Sequence, residues 1–245
     1  MRIGIHGASG RVGARLVQAV LAMPDLELGA ALVSPGSPRL GTPVDGGHGM
    51  EYRAADAAHR SHCDVLIDFS APAATLRLLD LMGDRPIPVV VGTTGFDSRG
   101  EAALTAAAAV RPLLVGANFA LGFEAFAAAV RRIAALLPDA APVVSETYHA
   151  RKKAEPSGTS RRLAADIADA RGAPPGASVP IEVHREGDTV GVNAVRFDPG
   201  VTELRMSFTV HTLDAYARGA LEGARWLARP GRAPGRYSPA DTLDA

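Results

Sequence analysis

The first thirteen residues constrain the architecture of this chain more than any other stretch. Arg2 to His6 is a short apolar run, and Gly7-Ala8-Ser9-Gly10-Arg11-Val12-Gly13 follows at once, with a glycine at every third position. A helix-period segment comes next, with Val12, Leu16, Val20 and Leu21 apolar. It stops at Pro24, whose ring cannot continue a helix. Strand, glycine turn and helix in that order leave a helix N-terminus open to an anion. The glycines allow a tight turn and let a pyrophosphate approach the N–H groups there. The G-x-x-G-x-x-G spacing is a variant of the commoner G-x-G-x-x-G. Its strand–turn–helix context makes it a dinucleotide-binding expectation, although the same residues could form a tight turn with no ligand.

The alternation continues. Leu26–Val33 reads as a second strand, ended by the Ser-Pro-Gly-Ser-Pro cluster at 34–38. Residues 39–62 are weakly periodic, a loop with a short strand around Glu51–Arg53. Strands at 64–69, 88–91 and 112–115 then alternate with helices at 73–82 and 98–110. This pattern predicts βαβ units and a parallel sheet buried on both faces. The pattern changes after Asn118. A helix at 121–137, a strand at 143–148, a polar loop and a helix at 160–170 precede three strand-like runs at 179–184, 190–196 and 203–211. That is an α+β block with an antiparallel or mixed sheet, and a last helix covers 214–228. The expected division is 1–119 with 213–245 as the dinucleotide-binding domain, and 120–212 as the substrate-binding and oligomerisation domain.

Composition removes several function classes. With 47% hydrophobic and 21% charged residues the chain of 245 is globular, and 26 cations against 26 carboxylates leave no electrostatic case for nucleic acid or anionic membrane. The single Cys63 rules out an intramolecular disulfide or a thiolate metal cluster. No stretch reaches 18 uninterrupted apolar residues, and the N-terminal apolar run is too short for a signal peptide, so a cytoplasmic protein is expected. His59 and His62 beside Cys63 raise a metal question. Without further ligands a solvent loop is the better reading, and no metal is expected. No G-x-S-x-G elbow supports serine catalysis.

Cofactor choice is read at the end of the second strand, where a carboxylate favours NAD and a cation a 2′-phosphate. Here the strand ends Val33-Ser34-Pro35, with no acid and with Arg11 and Arg39 nearby in sequence, which favours NADPH over NADH. Three segments, Asp68–Pro72, Gly92-Thr93-Thr94-Gly95-Phe96 and Gly116-Ala117-Asn118-Phe119, fall at carboxyl ends of expected parallel strands, where ligands of such sheets sit. Together they read as a cofactor wall, although any one could be a structural turn.

The stretch from Glu146 to Thr159 is the most informative. Pro156-Ser157-Gly158-Thr159 runs into a helix and presents hydroxyls and N–H groups at its start, suited to a carboxylate. Tyr148, His149, Arg151, Lys152 and Lys153 lie just upstream. Lys152 and Lys153 are the only lysines among the 26 cations, so an arginine-biased chain has kept a compact, tunable proton donor here. The alternative is a solvated basic loop with a capping Ser or Thr.

These blocks, GASGRVG, IDFSAPAAT, GTTGFD, GANFALG, E-x-x-H-x-x-K…PSGT and GALEGARWL, in this order and spacing, resemble the dihydrodipicolinate reductase family. The resemblance covers nearly the whole chain. It implies a Rossmann-type α/β nucleotide domain joined to an α+β mixed-sheet substrate and tetramerisation domain, hence a homotetramer. It also implies NADH- or NADPH-dependent reduction of a dicarboxylated heterocycle in the diaminopimelate–lysine pathway. Carried onto this chain, the family's nucleotide loop falls on Gly7, Ala8, Ser9, Gly10, Arg11 and Val12. Its nicotinamide-side segments fall on Gly92–Thr94 and Gly116–Phe119. The substrate-binding histidine falls on His149, the lysine proton donor on Lys152, and the substrate-carboxylate groups on Ser157, Gly158 and Thr159.

Three departures stand out. Tyr148 replaces the first of two adjacent histidines, the acid of D-A-P-S-G-T moves by one to Glu155, and Val33 replaces the acidic residue of the second strand. Tyr148 could donate a proton, helped by a nearby Lys152 that favours phenolate. It could instead be dispensable, with Lys152 carrying the transfer, or it could mark a shift to a related imine. Two rival functions stand beside the reductase: a reductase of another small cyclic imine or oxo-acid, and a non-catalytic nucleotide-binding regulator. An acyl-phosphate reductase would need a nucleophilic cysteine at a strand's carboxyl end, where Cys63 does not lie.

Overall fold

A computed structural model describes residues 1–55, 63–174 and 178–243. His59 and His62 lie outside these residues. The chain forms two compact units, Met1–Ala120 with Leu213–Ala245, and Leu121–Thr212.

The first unit is built on a parallel sheet of seven strands: β1 (Arg2–His6), β2 (Glu27–Val33), β3 (Tyr52–Ala54), β4 (Val65–Asp68), β5 (Val89–Val91), β6 (Pro112–Val115) and β11 (Gly235–Tyr237). Their order is β11-β6-β5-β4-β1-β2-β3, every pair parallel. The chain runs outward from β1 through β2 to β3 and then returns to the other side of β1 as β4. The reversal opens a crevice beyond the carboxyl ends of β1 and β4, the usual ligand position in such sheets. Alternate side chains fill two layers. Ile3, Ile5, Val65, Ile67, Val90 and Leu114 pack with α1 (Arg11–Ala22) and α6 (Asp214–Leu227). Leu66, Val89, Val91 and Leu113 pack with α2 (Pro72–Met82) and α3 (Ser98–Ala108). Burial on both faces is why these strands read as unbroken apolar runs.

The second unit has a four-stranded mixed sheet, ordered β10-β9-β7-β8, of β7 (Ala141–Tyr148), β8 (Ile181–Arg185), β9 (Gly191–Asp198) and β10 (Leu204–Val210). β7 pairs parallel with β8 and antiparallel with β9, which pairs antiparallel with β10. Helices α4 (Phe123–Leu136) and α5 (Gly158–Ala170) cover one face, with Phe123, Val130, Val144, Leu163, Ile167, Val195 and Phe197 buried between. On β7 the inward positions are Val144, Glu146 and Tyr148, so two polar groups enter an otherwise apolar row. Two arginines fasten the helices. Arg162 makes a two-pronged bond to Glu124 at 2.6 Å, and Arg171 donates to the carbonyls of Leu137 and Ala140 at 2.8 and 2.7 Å, closing the end of α4.

Candidate active site

In the first unit the glycine turn is shaped by backbone contact. Gly7 has φ +81°, and a Cβ there would fall on the Phe69 carbonyl; a Cβ on Gly13 would fall on the Gly7 carbonyl. The N–H groups of Gly7 and Ala8 both donate to Leu32 O at 2.9 Å, and that of Gly10 to Gly7 O at 2.8 Å. These bonds set the turn, and the N–H groups that could meet an anion are those of the first turn of α1, which no side chain caps. Gly7, Ser9, Gly10 and Ser34 line a cavity of about 440 Å³ at this place. Ala8 is fully buried, Val12 packs against the core, and Arg11 opens α1 at the surface. The guanidinium of Arg39 lies over the Tyr52 ring at 5.8 Å and does not line the cavity. Arg77 of α2 does, a position that sequence reading passed over.

Two of the three loops of the expected cofactor wall are tied together by one buried carboxylate. Asp68 is fully buried and accepts from Ser70 and Thr75 at 2.6 Å and Thr93 at 2.7 Å, with His6 Nδ1 also at 2.6 Å. It thereby links the residue before the glycine turn, the loop after β4 and the loop after β5. Thr93 also accepts the Ser70 N–H, so its hydroxyl serves the scaffold, whereas Thr94 is exposed. Gly92 and Gly116 have packing reasons: a Cβ at 92 would strike the Phe69 ring, and one at 116 would strike Pro239. Phe119 is buried edge-on to Phe69 with centroids 5.8 Å apart, Ala117 is half-buried, and Asn118 Oδ1 accepts the Ala120 N–H at 2.8 Å.

In the second unit Glu146 organises the candidate substrate site. It is fully buried, accepts from the Ser157 N–H at 3.0 Å and from the hydroxyls of Ser157 and Ser160, and pairs with Arg185 at 2.8 Å. Burial opposes its ionisation, but the bonds from Ser157, Ser160 and Arg185 outweigh it and hold the carboxyl below its ordinary 4.5. Arg185 also donates to the carbonyls of Lys153 and Glu155 at 2.7 and 2.8 Å. One guanidinium therefore anchors the segment that carries Lys152. The segment begins as a turn, with the Lys152 N–H donating to His149 O at 3.0 Å.

Tyr148 and Lys152 do meet. The Lys152 ammonium sits 3.5 Å from the centroid of the Tyr148 ring, over its face, while the phenol hydroxyl donates to Asn193 at 3.2 Å. Asn193 in turn donates to Ser160 at 3.1 Å. Burial pushes the Tyr148 phenol above its ordinary 10, outweighing its hydrogen bonding with Ser157, Thr159 and Asn193, which acts to lower it. This direction is opposite to the expected phenolate-favouring effect of Lys152, because the cation faces the ring and the hydroxyl is enclosed. His149 and Thr159 are buried at the same end of β7 and α5, Gly158 starts the helix, and Lys153 is exposed. Arg151 pairs with Asp188 at 3.2 Å in full solvent, a contact worth little.

A family model described as the dihydrodipicolinate reductase N-terminus matches residues 1–119, and one described as its C-terminus matches residues 122–243. The chain belongs to the dihydrodipicolinate reductase family. A 4-hydroxy-tetrahydrodipicolinate reductase of Anaeromyxobacter dehalogenans is 31% identical over 99% of this chain and 97% of its own length. In fold the chain is similar to a dipicolinate-bound dihydrodipicolinate reductase from Paenisporosarcina, with a TM-score of 0.77 and 20% identity over 97% of each chain. It is also similar to a putative myo-inositol dehydrogenase from Sinorhizobium meliloti, with a TM-score of 0.63 and 16% identity over 99% of this chain and 93% of that one.

Within the second unit, the residues that the sequence pattern left without a role are Glu146, Arg185, Asn193 and Ser160. A signal existed for the first: a glutamate on the apolar row of an alternating strand. Asn193 and Arg185 gave none, since they reach Glu146 and its neighbours only through pairing of β7 with β9 and β8. Cys63 is buried and its thiol is pushed up to about 11 by burial, consistent with the rejection of a cysteine nucleophile. Among the described residues no cluster of His, Cys, Asp and Glu could hold a metal, and no helix is long and apolar enough to cross a membrane.

The lowered Glu146 pKa gives stability a pH dependence. The contribution is complete above about pH 4.5 and is lost as pH falls below that value through the folded pKa. Urea midpoints measured from about pH 7 to pH 3 are expected to fall further in the wild type than in Glu146→Gln. Parallel curves would show that Glu146 is not linked to folding.

Proposed function

We propose that this chain catalyses the NAD(P)H-dependent reduction of 4-hydroxy-tetrahydrodipicolinate to tetrahydrodipicolinate in diaminopimelate and lysine biosynthesis. The observation that carries this reading is the Lys152 ammonium seated on Tyr148, in the segment that leads into the Ser157-capped start of α5, on the family's own motif. The first unit suits a dinucleotide. Its glycine turn excludes side chains at Gly7 and Gly13, α1 is uncapped, and the cavity beside it carries Ser9 and Ser34. Gly7, Ser9, Gly10, Arg11 and the α1 N-terminus would hold the nucleotide. When bound, NAD(P)H would supply the hydride that reduces the ring, the 4-hydroxyl departing as water with the proton that Lys152 gives up. NADPH is the favoured coenzyme because β2 ends without a carboxylate.

The chain's own residues hold the substrate and move the proton. His149, Gly158, Thr159 and the first-turn N–H groups of α5 receive a substrate carboxylate, aided by the helix dipole. Ser157 acts one step behind them: its N–H and hydroxyl are committed to Glu146, so it sets the helix start. Lys152 gives up a proton from Nζ, and the Tyr148 ring holds that ammonium in place. The enclosed phenol stays protonated and serves as the platform. The resemblance also carries a homotetramer, in which the mixed-sheet unit is the assembling one.

The test is oxidation of NADPH and NADH in the presence of freshly generated 4-hydroxy-tetrahydrodipicolinate. Turnover is expected with both coenzymes. The Tyr148 replacement favours one rival, a reductase of another cyclic imine, which would oxidise coenzyme only with that imine. Tight nucleotide binding with no turnover on any substrate would instead indicate a regulator.

A further inference from the structure

The cavity beside the glycine turn contains a cation that neither the second strand nor the turn supplies. It is bounded on one side by Ser34 at the end of β2 and by Ser9 and Gly10, and on the other by Ala71, Ala74 and Arg77 of the α2 segment. In such sheets the group after β2 meets the adenosine ribose, so its charge decides between a 2′-hydroxyl and a 2′-phosphate. No carboxylate occurs among the described residues that line the cavity. Arg39, the basic residue nearest in sequence to the end of β2, lies over Tyr52 instead. Arg77 is exposed on α2, and among the described residues it forms no hydrogen bond or ion pair. Helix α2 also begins without a side-chain cap and has no acid in its first turn, so its N-terminus adds to the positive side of the cavity.

We propose that Arg77 is the specificity residue for the coenzyme: its guanidinium, from α2 and not from the end of β2, receives the 2′-phosphate of NADPH, with Ser34 as the second donor. This deepens the nucleotide reading above and rests on it. A guanidinium offers paired N–H donors that match phosphate oxygens, and the 2′-phosphate has no acid here to repel it. The cation comes from the helix because the segment after β2, Ser34-Pro35-Gly36-Ser37-Pro38, carries no charge of its own.

The test separates the two readings by binding as well as turnover. Affinities of the full-length protein for 2′,5′-ADP and for 5′-ADP are measured by calorimetry in the wild type, Arg77→Gln and Arg77→Lys. In the wild type 2′,5′-ADP is expected to bind the more tightly. In Arg77→Gln its affinity is expected to fall roughly ten- to a hundredfold relative to 5′-ADP, as for loss of a charge-assisted hydrogen bond. Arg77→Lys should recover part of that loss. The ratio of kcat/KM for NADPH to that for NADH should fall by the same factor in Arg77→Gln. Equal weakening of both nucleotides would show that Arg77 stacks on the adenine and would overturn the assignment, as would no change in either. A wild-type protein that binds neither nucleotide would overturn the nucleotide reading itself, whatever the variants do.

Discussion

Lys152→Ala is expected to lower kcat by about 10²- to 10⁴-fold, the usual worth of a positioned general acid, with a smaller effect on the substrate KM. Tyr148→Phe should keep kcat within about threefold. The contrast follows from the way the two side chains meet. Lys152 lies on the face of the Tyr148 ring, and phenylalanine preserves that face. The hydroxyl points to Asn193, so its removal leaves a buried amide short of a partner, a stability cost of about 1–3 kcal/mol with no direct claim on the chemistry. Lys152→Arg separates charge from proton transfer, because arginine keeps the cation but does not release a proton near neutral pH; kcat should stay low while binding recovers. Single-turnover rates and substrate KM values for the three variants decide the matter. Unchanged turnover in Lys152→Ala would remove Lys152 as the acid, and a collapse in Tyr148→Phe with folding intact would move that role to the phenol.

Arg185→Met is expected to cost about 3–5 kcal/mol of stability and to reduce kcat/KM at the same time. Removing one partner of a buried pair strands the other charge. Glu146 would remain fully buried with only the Ser157 and Ser160 donors, and the carbonyls of Lys153 and Glu155 would lose their shared anchor. The stability part is read from urea midpoints, and the catalytic part from the KM-against-kcat split of the folded variant. Combining Arg185→Met with Glu146→Gln distinguishes clamp from bystander. The double variant should be less destabilised than the sum of the singles, because no uncompensated charge is left behind. Strictly additive costs would mean that the two residues do not act together.

Much of the fold was legible because its two periodicities differ so clearly. Arg2–His6 and Pro112–Val115 appear at their expected bounds, and the α1 stop at Pro24 and the parallel-then-mixed change of sheet follow from apolar runs and helical periods. The strand Gly235–Tyr237 was not legible. Three residues, Gly-Arg-Tyr, carry no strand pattern of their own and become one only by pairing with Pro112–Leu114 of β6. Helix α5 starts at Gly158, earlier than its apolar period suggested, because the Ser157 side chain caps it by accepting the Ser160 N–H.

The candidate site divides along the same line. The residues that stand next to one another in the chain, Tyr148 to Lys152 and Ser157 to Thr159, were found as a group because proximity in sequence ensured proximity in space. What each one does was not settled by that order. Tyr148 could be pictured as a phenolate beside a cation until the strand placed its ring under Lys152 and its hydroxyl inside, where burial raises the pKa.

The sequence by itself determined the two-unit α/β and α+β plan, the glycine turn that opens α1, the family, and the short stretch that carries the candidate site. These depend on local period, on turn residues and on spacing along the chain. Only the tertiary structure decided that Glu146 and Arg185 hold that stretch, that Asp68 joins the end of β1 to the loops after β4 and β5, and that Arg77 rather than Arg39 lines the cavity beside the glycine turn. Each of those is a meeting of residues far apart in the chain. Strand register and helix packing bring them together, and no pattern within a single segment specifies them.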